Sequence, residues 1–210
     1  MDNKKKYGIM GGTFDPIHMG HLFIAQSALK ELMLDKVMFI PTGTPPHKKD
    51  KNITSSLDRY IMTTLAVNSN DDFCVSSIEV SKTEPSYTID TVKELLELKK
   101  DVEFYFITGT DSFLSIETWK EYDELFKKIT FVVVTRPGFT NQELDSKIEY
   151  FLTKYDAKVI KVLVPSLEIS STDIRERVIN GKTIKYLVHE DVEKYINKNQ
   201  LYLHNNNYTI

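Results

Sequence analysis

The sequence predicts an α/β protein built on an open, mainly parallel sheet with helices on both faces and a small C-terminal helical piece. Short apolar runs alternate along the chain with stretches in which apolar residues recur at helical spacing. The run from Val102 to Ile107 is almost wholly apolar, as a strand covered on both faces of a parallel sheet must be. The first apolar run, Tyr7 to Met10, leads through paired glycines into an amphipathic stretch and then a second apolar run, which makes a right-handed βαβ unit. Together these describe a Rossmann-like architecture.

Composition bounds what such a fold can do. The 210 residues are enough to bury a substantial core and read as one domain over 1–203, its helical piece spanning about 170–203, with 204–210 as a flexible polar tail. Hydrophobic residues make up 41% and charged residues 27%, the balance of a soluble globular protein. A net charge of -3 argues against a nucleic-acid partner, which calls for a basic surface. Cys74 is the only cysteine, so no disulfide framework is expected and a cytoplasmic location fits. The basic start Lys4-Lys5-Lys6 precedes an apolar run broken by Gly8, Gly11 and Gly12, too short for a signal-peptide core. No segment approaches the roughly 18 apolar residues of a membrane span. A homo-oligomer is compatible with all of this.

Taken in order, the first strand ends in Gly11-Gly12-Thr13-Phe14-Asp15-Pro16-Ile17-His18-Met19-Gly20-His21. A helix from Gly20 to Leu34 follows, with Leu22, Ala25, Ala28, Leu29, Leu32 and Met33 at helical spacing, and then strand Lys36–Ile40. Pro41, Pro45 and Pro46 exclude regular structure from the next segment, which falls at the carboxyl end of that strand, the edge where open α/β sheets bind ligands. Ser56–Val67 reads as a helix and Phe73–Val80 as a third strand. A polar loop, Glu84 to Thr91, enters the helix Val92–Leu98, with Thr88 as a candidate cap. The central strand ends in Thr108-Gly109-Thr110-Asp111, where Asp111 either accepts from ligand hydroxyls or caps a short helix, Ser112–Ile116. Glu121–Lys128 reads as a helix, Phe131–Thr135 as a buried strand, Asn141–Tyr155 as a helix and Lys158–Val164 as the last strand. Ser170 and Ser171 are capping signals for a further helix, and Asp191–Lys198 closes the fold. There is no internal repeat.

The chemistry concentrates in two places. The paired glycines let the backbone turn sharply and approach a ligand, and the helix behind them offers unpaired N–H groups and the positive end of its dipole. This is an anion site, and His18 and His21, three residues apart, lie on one helix face at its entrance. The glycine spacing does not meet the dinucleotide pattern G-x-G-x-x-G, and the histidines lack the i, i+4 gap and adjacent glutamate of a zinc helix. The second place is Ile169-Ser170-Ser171-Thr172-Asp173-Ile174-Arg175. A cation in the first turn opposes the helix dipole, so Arg175 makes sense there if an anion is bound. Arg177 has no such warrant and reads as solvated. Lys48 and His47 are either phosphate contacts or simply exposed, and the lone Trp119 is either core or a platform for a ring.

The Gly11–His21 run resembles the T/H-x-G-H signature of the nucleotidyltransferases in the form carried by their adenylyltransferase branch, and Ile-Ser-Ser-Thr-x-Ile-Arg resembles the second signature of the same superfamily. Pro85-Ser86-Tyr87-Thr88, Trp119 and Arg136-Pro137-Gly138 resemble elements of the nicotinate mononucleotide adenylyltransferases, and the resemblance runs in order from Tyr7 to Tyr202. His189 stands where relatives carry a proline. The resemblance implies transfer of the adenylyl group of ATP to nicotinate mononucleotide, giving the deamido dinucleotide and pyrophosphate. It implies His18, His21, Lys48 and Arg175 as the catalytic groups. Gly12, Thr13, Phe14, Gly109, Asp111, Arg136, Ser170 and Ser171 would hold ATP, and Ser86, Tyr87, Thr88 and Trp119 the mononucleotide. Mg2+ would bridge ATP phosphates without a protein cage, so no protein metal ligand is assigned. Transfer to the amide or to phosphopantetheine, and a nucleotide-binding regulator without turnover, are the competing readings.

Overall fold

Among the described residues, fifteen elements follow the alternation in the sequence. They are β1 (Lys5–Gly12), α1 (Met19–Glu31), β2 (Lys36–Pro41), α2 (Ser56–Val67), β3 (Phe73–Val75), α3 (Thr88–Leu98), β4 (Val102–Gly109) and α4 (Thr110–Leu114), followed by a single 3-10 turn (Ile116–Thr118), α5 (Tyr122–Lys128), β5 (Thr130–Thr135), α6 (Gln142–Tyr155), β6 (Val159–Leu163), α7 (Ser171–Ile179) and α8 (Glu190–Lys198). The structure is a computed structural model and describes residues 4–44, 53–82, 84–136, 142–165 and 167–203. Among them the strands form one sheet in the order β3-β2-β1-β4-β5-β6. The pairs β1–β4, β4–β5 and β5–β6 are parallel, and their registers align Ile9, Phe106, Phe131 and Val159 in one row. This is a Rossmann-like sheet, with β1 and β4 in its interior, and α7 and α8 are the expected C-terminal helical piece.

The chain divides into two compact units, each drawn from three stretches of sequence. One comprises Met1–Gly11, Ile24–Met38 and Tyr87–Ser166. Its interior is aromatic: Phe113, Phe131 and Phe151 are fully buried, and Phe126 lies 4.6 Å from Phe151 between ring centres. Gly8 is needed there, because a Cβ on it would come within 2.8 Å of the Ile107 side chain. The other unit comprises Gly12–Phe23, Phe39–Ser86 and Leu167–Ile210. In it Met62 and Ala66 of α2 are buried, as are Val192 and Ile196 of α8. The Tyr195 hydroxyl of α8 donates to Asp58 of α2 at 2.7 Å.

Several boundaries differ from the sequence reading, each for a local reason. The third strand stops at Val75 instead of Val80. The Ser76 hydroxyl accepts from the Ile78 amide at 3.3 Å and Val80 bonds back to Ser77, so the hydroxyl residues turn the chain. Helix α3 starts at Thr88, four residues earlier than expected, with Tyr87 at the cap position and no side-chain cap; Thr88 is therefore the first helical residue and not the cap. Likewise Gly109 is the cap position of α4, and Asp111 sits exposed in its first turn, favourable to the dipole, instead of capping Ser112. His189 has a definite task, since its Nδ1 accepts from the Asp191 amide at 3.3 Å and caps α8. Arg177, expected to be solvated, pairs with Asp173 one turn back at 2.8 Å. Among the described residues, no helix is long and apolar enough to cross a membrane.

Candidate active site

The turn after β1 is built by its own side chains. Phe14 takes a left-handed backbone, φ 50°, unusual for a bulky residue, and its buried ring lies over Gly12, where an added Cβ would stand 2.9 Å from it. The sequence reading assigns the room over Gly12 to a ligand, but the Phe14 ring fills it. The same ring meets His21 edge-on at 5.0 Å. His18 occupies the cap position of α1: its carbonyl accepts from the His21 amide at 2.9 Å, while its own amide donates to His21 Nδ1 at 3.3 Å. The bond from the His18 amide to His21 Nδ1 is one half of a capping box, in which the side chain three residues into the helix reaches back to the cap residue's amide. It also settles the role of each His21 nitrogen, for Nδ1 accepts and Nε2 is left to carry the proton of the neutral ring. The two imidazoles stack with centres 3.7 Å apart. Gly20 makes room for this, because a Cβ there would lie 3.1 Å from His18 Nδ1.

The second signature meets the first in the same unit. Ser170 caps α7 by accepting from the Asp173 amide at 3.1 Å. The Ser171 hydroxyl donates to the Pro16 carbonyl at 2.9 Å, and Arg175 Nη1 donates to the Asp15 carbonyl at 2.7 Å, joining residues 155 and 160 positions apart. Arg175 is the fifth residue of α7 and so lies beyond its first turn, with Nη2 on the Thr172 hydroxyl at 3.3 Å. Its guanidinium is thus placed by the protein itself and needs no anion to explain it.

Three residues that the sequence reading passes over hold this arrangement. The Asp15 carboxylate, buried, accepts from the Tyr202 hydroxyl at 2.9 Å and from the Thr54 amide at 3.2 Å. Burial beside that carboxylate pushes the Tyr202 hydroxyl well above its ordinary pKa. Arg59, also buried, donates to the carbonyls of Thr13, Gly43 and Thr54. An arginine inside an otherwise amphipathic helix pattern is the one signal that could have exposed it. Ser86 is buried, and its Oγ has no hydrogen-bond partner among the described residues.

The remaining candidates among the described residues lie in the other unit. Gly109 is exposed, and a Cβ added to it would meet nothing within 4 Å among the described residues. Tyr87 carries the Lys120 ammonium over its ring at 4.8 Å. Trp119 is half-buried and meets Phe106 edge-on at 5.7 Å, so part of the indole serves the core. Arg136 is exposed just after β5. Lys48, His47 and Pro137-Gly138-Phe139 lie outside the described residues.

Electrostatically, burial pushes His18 down to about 4, and burial together with the neighbouring His18 pushes His21 to about 3. Both rings are therefore neutral in the free protein near pH 7. His18 Nδ1 is buried with no hydrogen-bond partner among the described residues, an orphaned polar atom that a ligand can satisfy. Among the described residues, no group of three or more His, Cys, Asp or Glu is placed to hold a metal ion. Imidazoles and a guanidinium suit phosphate oxygens and not Mg2+, which takes oxygen ligands.

A glycine turn at the end of a parallel strand, bonded to a second capped helix that carries an arginine, is the arrangement the two nucleotidyltransferase signatures call for. In agreement, the family model for cytidylyltransferase-like proteins matches residues 9–177. A probable nicotinate-nucleotide adenylyltransferase of Thermoanaerobacter sp. (strain X514) is 49% identical over 203 residues, 96% of each chain. A second from Desulfitobacterium hafniense (strain Y51) is 48% identical, covering 94% of this chain and 96% of its own. Among solved structures, the Plasmodium falciparum nicotinic acid mononucleotide adenylyltransferase complexed with NaAD matches at a TM-score of 0.75 and 26% identity, over 94% of this chain and 97% of that one. The same protein complexed with APC matches in fold at a TM-score of 0.76 and 24% identity, over 94% and 97%. The chain belongs to the nicotinate-nucleotide adenylyltransferase family.

Proposed function

We propose that this chain transfers the adenylyl group of ATP to nicotinate mononucleotide, releasing pyrophosphate and forming nicotinate adenine dinucleotide, a step of NAD biosynthesis. The observation that carries the reading is the meeting of the two signatures, Ser171 on Pro16 and Arg175 on Asp15, around the stacked histidines. On this reading residues 1–203 act as one nucleotidyltransferase domain in the cytoplasm.

The attacking group is a phosphate whose second pKa lies near 6, so it is already ionised at neutral pH and needs no general base. The task is to hold two polyanions in line and to stabilise charge on the departing pyrophosphate. His21 presents Nε2–H and His18 its buried Nδ1 to the phosphates, and a bound polyanion draws protons onto the pair against the desolvation that keeps it neutral. Arg175 and Lys48 add fixed positive charge. The amides and hydroxyls of Gly12, Thr13, Ser170 and Ser171 offer donors, and Gly109, Asp111 and Arg136 are assigned to the adenosine. Phe14 contributes its backbone, since its ring is buried. Ser86, Tyr87, Thr88 and Trp119 are assigned to the nicotinate mononucleotide on the family's motif. Magnesium enters as MgATP, part of the substrate.

The test is pyrophosphate release from MgATP with nicotinate mononucleotide or its amide in parallel, on the wild type and on His21→Ala. The acid should be strongly preferred, and the variant should turn over about a hundredfold more slowly, the loss of one transition-state donor. Equal or reversed preference would change the substrate, and ATP binding without release would mark a regulator.

A further inference from the structure

We propose that Arg59 is a positioning residue for adenylyl transfer: its guanidinium takes over where the β1–β2 ladder gives out and sets the separation of the two chains beside the phosphate turn. The inference rests on the function proposed above. At the end of the two strands the Thr42 amide donates to the Gly12 carbonyl at 2.9 Å. One residue further on, the carbonyls of Thr13 and Gly43 are both acceptors, and neither can satisfy the other. Arg59, 1% exposed, enters from α2 and donates through Nη1 to Thr13 at 2.7 Å, through Nη2 to Gly43 at 2.8 Å and through Nε to Thr54 at 2.9 Å.

Each nitrogen serves a different carbonyl. A planar fork therefore fixes three stretches of backbone relative to one another, which a flexible ammonium cannot do. A buried cation is a costly way to fill space that a methionine would fill by packing alone. Gly43 also packs closely on the Glu79 carbonyl, which an added Cβ would strike. Thr54 is tied back to the same turn through its amide on Asp15, 3.2 Å. Movement of the fork is thus passed to Thr13 and Asp15, one on each side of Phe14 and its contact with His21. Arg59 acts on the reaction through these residues and touches no reacting atom.

The test compares Arg59→Lys and Arg59→Met with the wild type by kcat and by KM for ATP and for nicotinate mononucleotide, each corrected for the folded fraction from calorimetry. Turnover should fall about tenfold in Arg59→Lys and about a hundredfold in Arg59→Met, with KM for ATP within about threefold, because ground-state binding is spread over many contacts while in-line geometry is not. If Arg59→Met does not fold, Arg59→Lys carries the test. A kcat of Arg59→Lys within about twofold of wild type, a loss that only follows the folded fraction, or a change confined to KM would overturn the role. The wild type run alongside separates the failures: no transfer by it overturns the proposed function, whereas an active wild type with an unaffected Arg59→Lys overturns the inference alone.

Discussion

Lowering the pH from about 7.5 to 5 should destabilise the free protein by about 4 kcal/mol through His18 and His21 alone. In the unfolded chain both imidazoles titrate near 6.5, while the folded protein holds them near 4 and 3. The folded values are depressed, so the unfolded chain takes up protons first: the stability is complete above the unfolded value and is lost as pH falls toward the folded ones. At pH 5 each unfolded imidazole has gained roughly 2 kcal/mol from protonation and each folded one almost nothing. Because the rings stack at 3.7 Å, the protons belong to the pair, and the summed effect is what the experiment reads. For a chain of this size the loss corresponds to a Tm lower by roughly 8–16 °C. Carboxylates elsewhere also titrate in this range, so the reference is the double variant His18→Gln with His21→Gln, unfolded by urea and by heat at both pH values. Wild type should lose about 4 kcal/mol more than the reference between the two. Equal losses, within about 1 kcal/mol, would refute the argument that burial keeps this pair neutral. Saturating MgATP should flatten the wild-type dependence, since a phosphate beside the rings favours their protonated form.

Tyr202→Phe removes the hydroxyl that donates to the buried Asp15 carboxylate and should cost about 2 kcal/mol, a Tm lower by roughly 4–8 °C, read from a calorimetric scan. An unchanged Tm would mean that Asp15 finds another donor. Gly43→Ala drives a methyl into the Glu79 carbonyl and should cost about 3 kcal/mol, measured from the urea midpoint, because relief requires a backbone shift between that carbonyl and Arg59. A variant as stable as wild type would show that the Glu79 turn yields freely.

The parts of the fold legible in the sequence are those set by local rules. Ser56–Val67 stands as α2 within the boundaries its periodicity predicts, and Phe131–Thr135 and Asn141–Tyr155 fall within one residue of β5 and α6. Where the reading slipped, a competing local effect won. The Ser76 hydroxyl and the Ser77 carbonyl turned the chain after Val75, and α3 and α4 began without the side-chain caps that Thr88 and Asp111 offered. At the candidate site, the two signatures were visible because each is a contiguous run, and the three-residue gap of His18 and His21 is itself a local capping geometry.

What the sequence by itself determined was therefore the strand–turn–helix order and the residue types able to meet an anion, since both are written in periods of two to four residues. What only the tertiary structure decided was which distant groups hold that turn in place. Arg175 was readable as a phosphate ligand, and only the fold shows that it also donates to the Asp15 carbonyl and the Thr172 hydroxyl. Tyr202 was a terminal aromatic until its hydroxyl was seen on Asp15, 187 positions away. Arg59 was one charge on a helix until three carbonyls converged on it. No local period encodes such pairings: a buried polar group must be satisfied by whatever the closed fold brings beside it, and that is fixed only when the chain has packed.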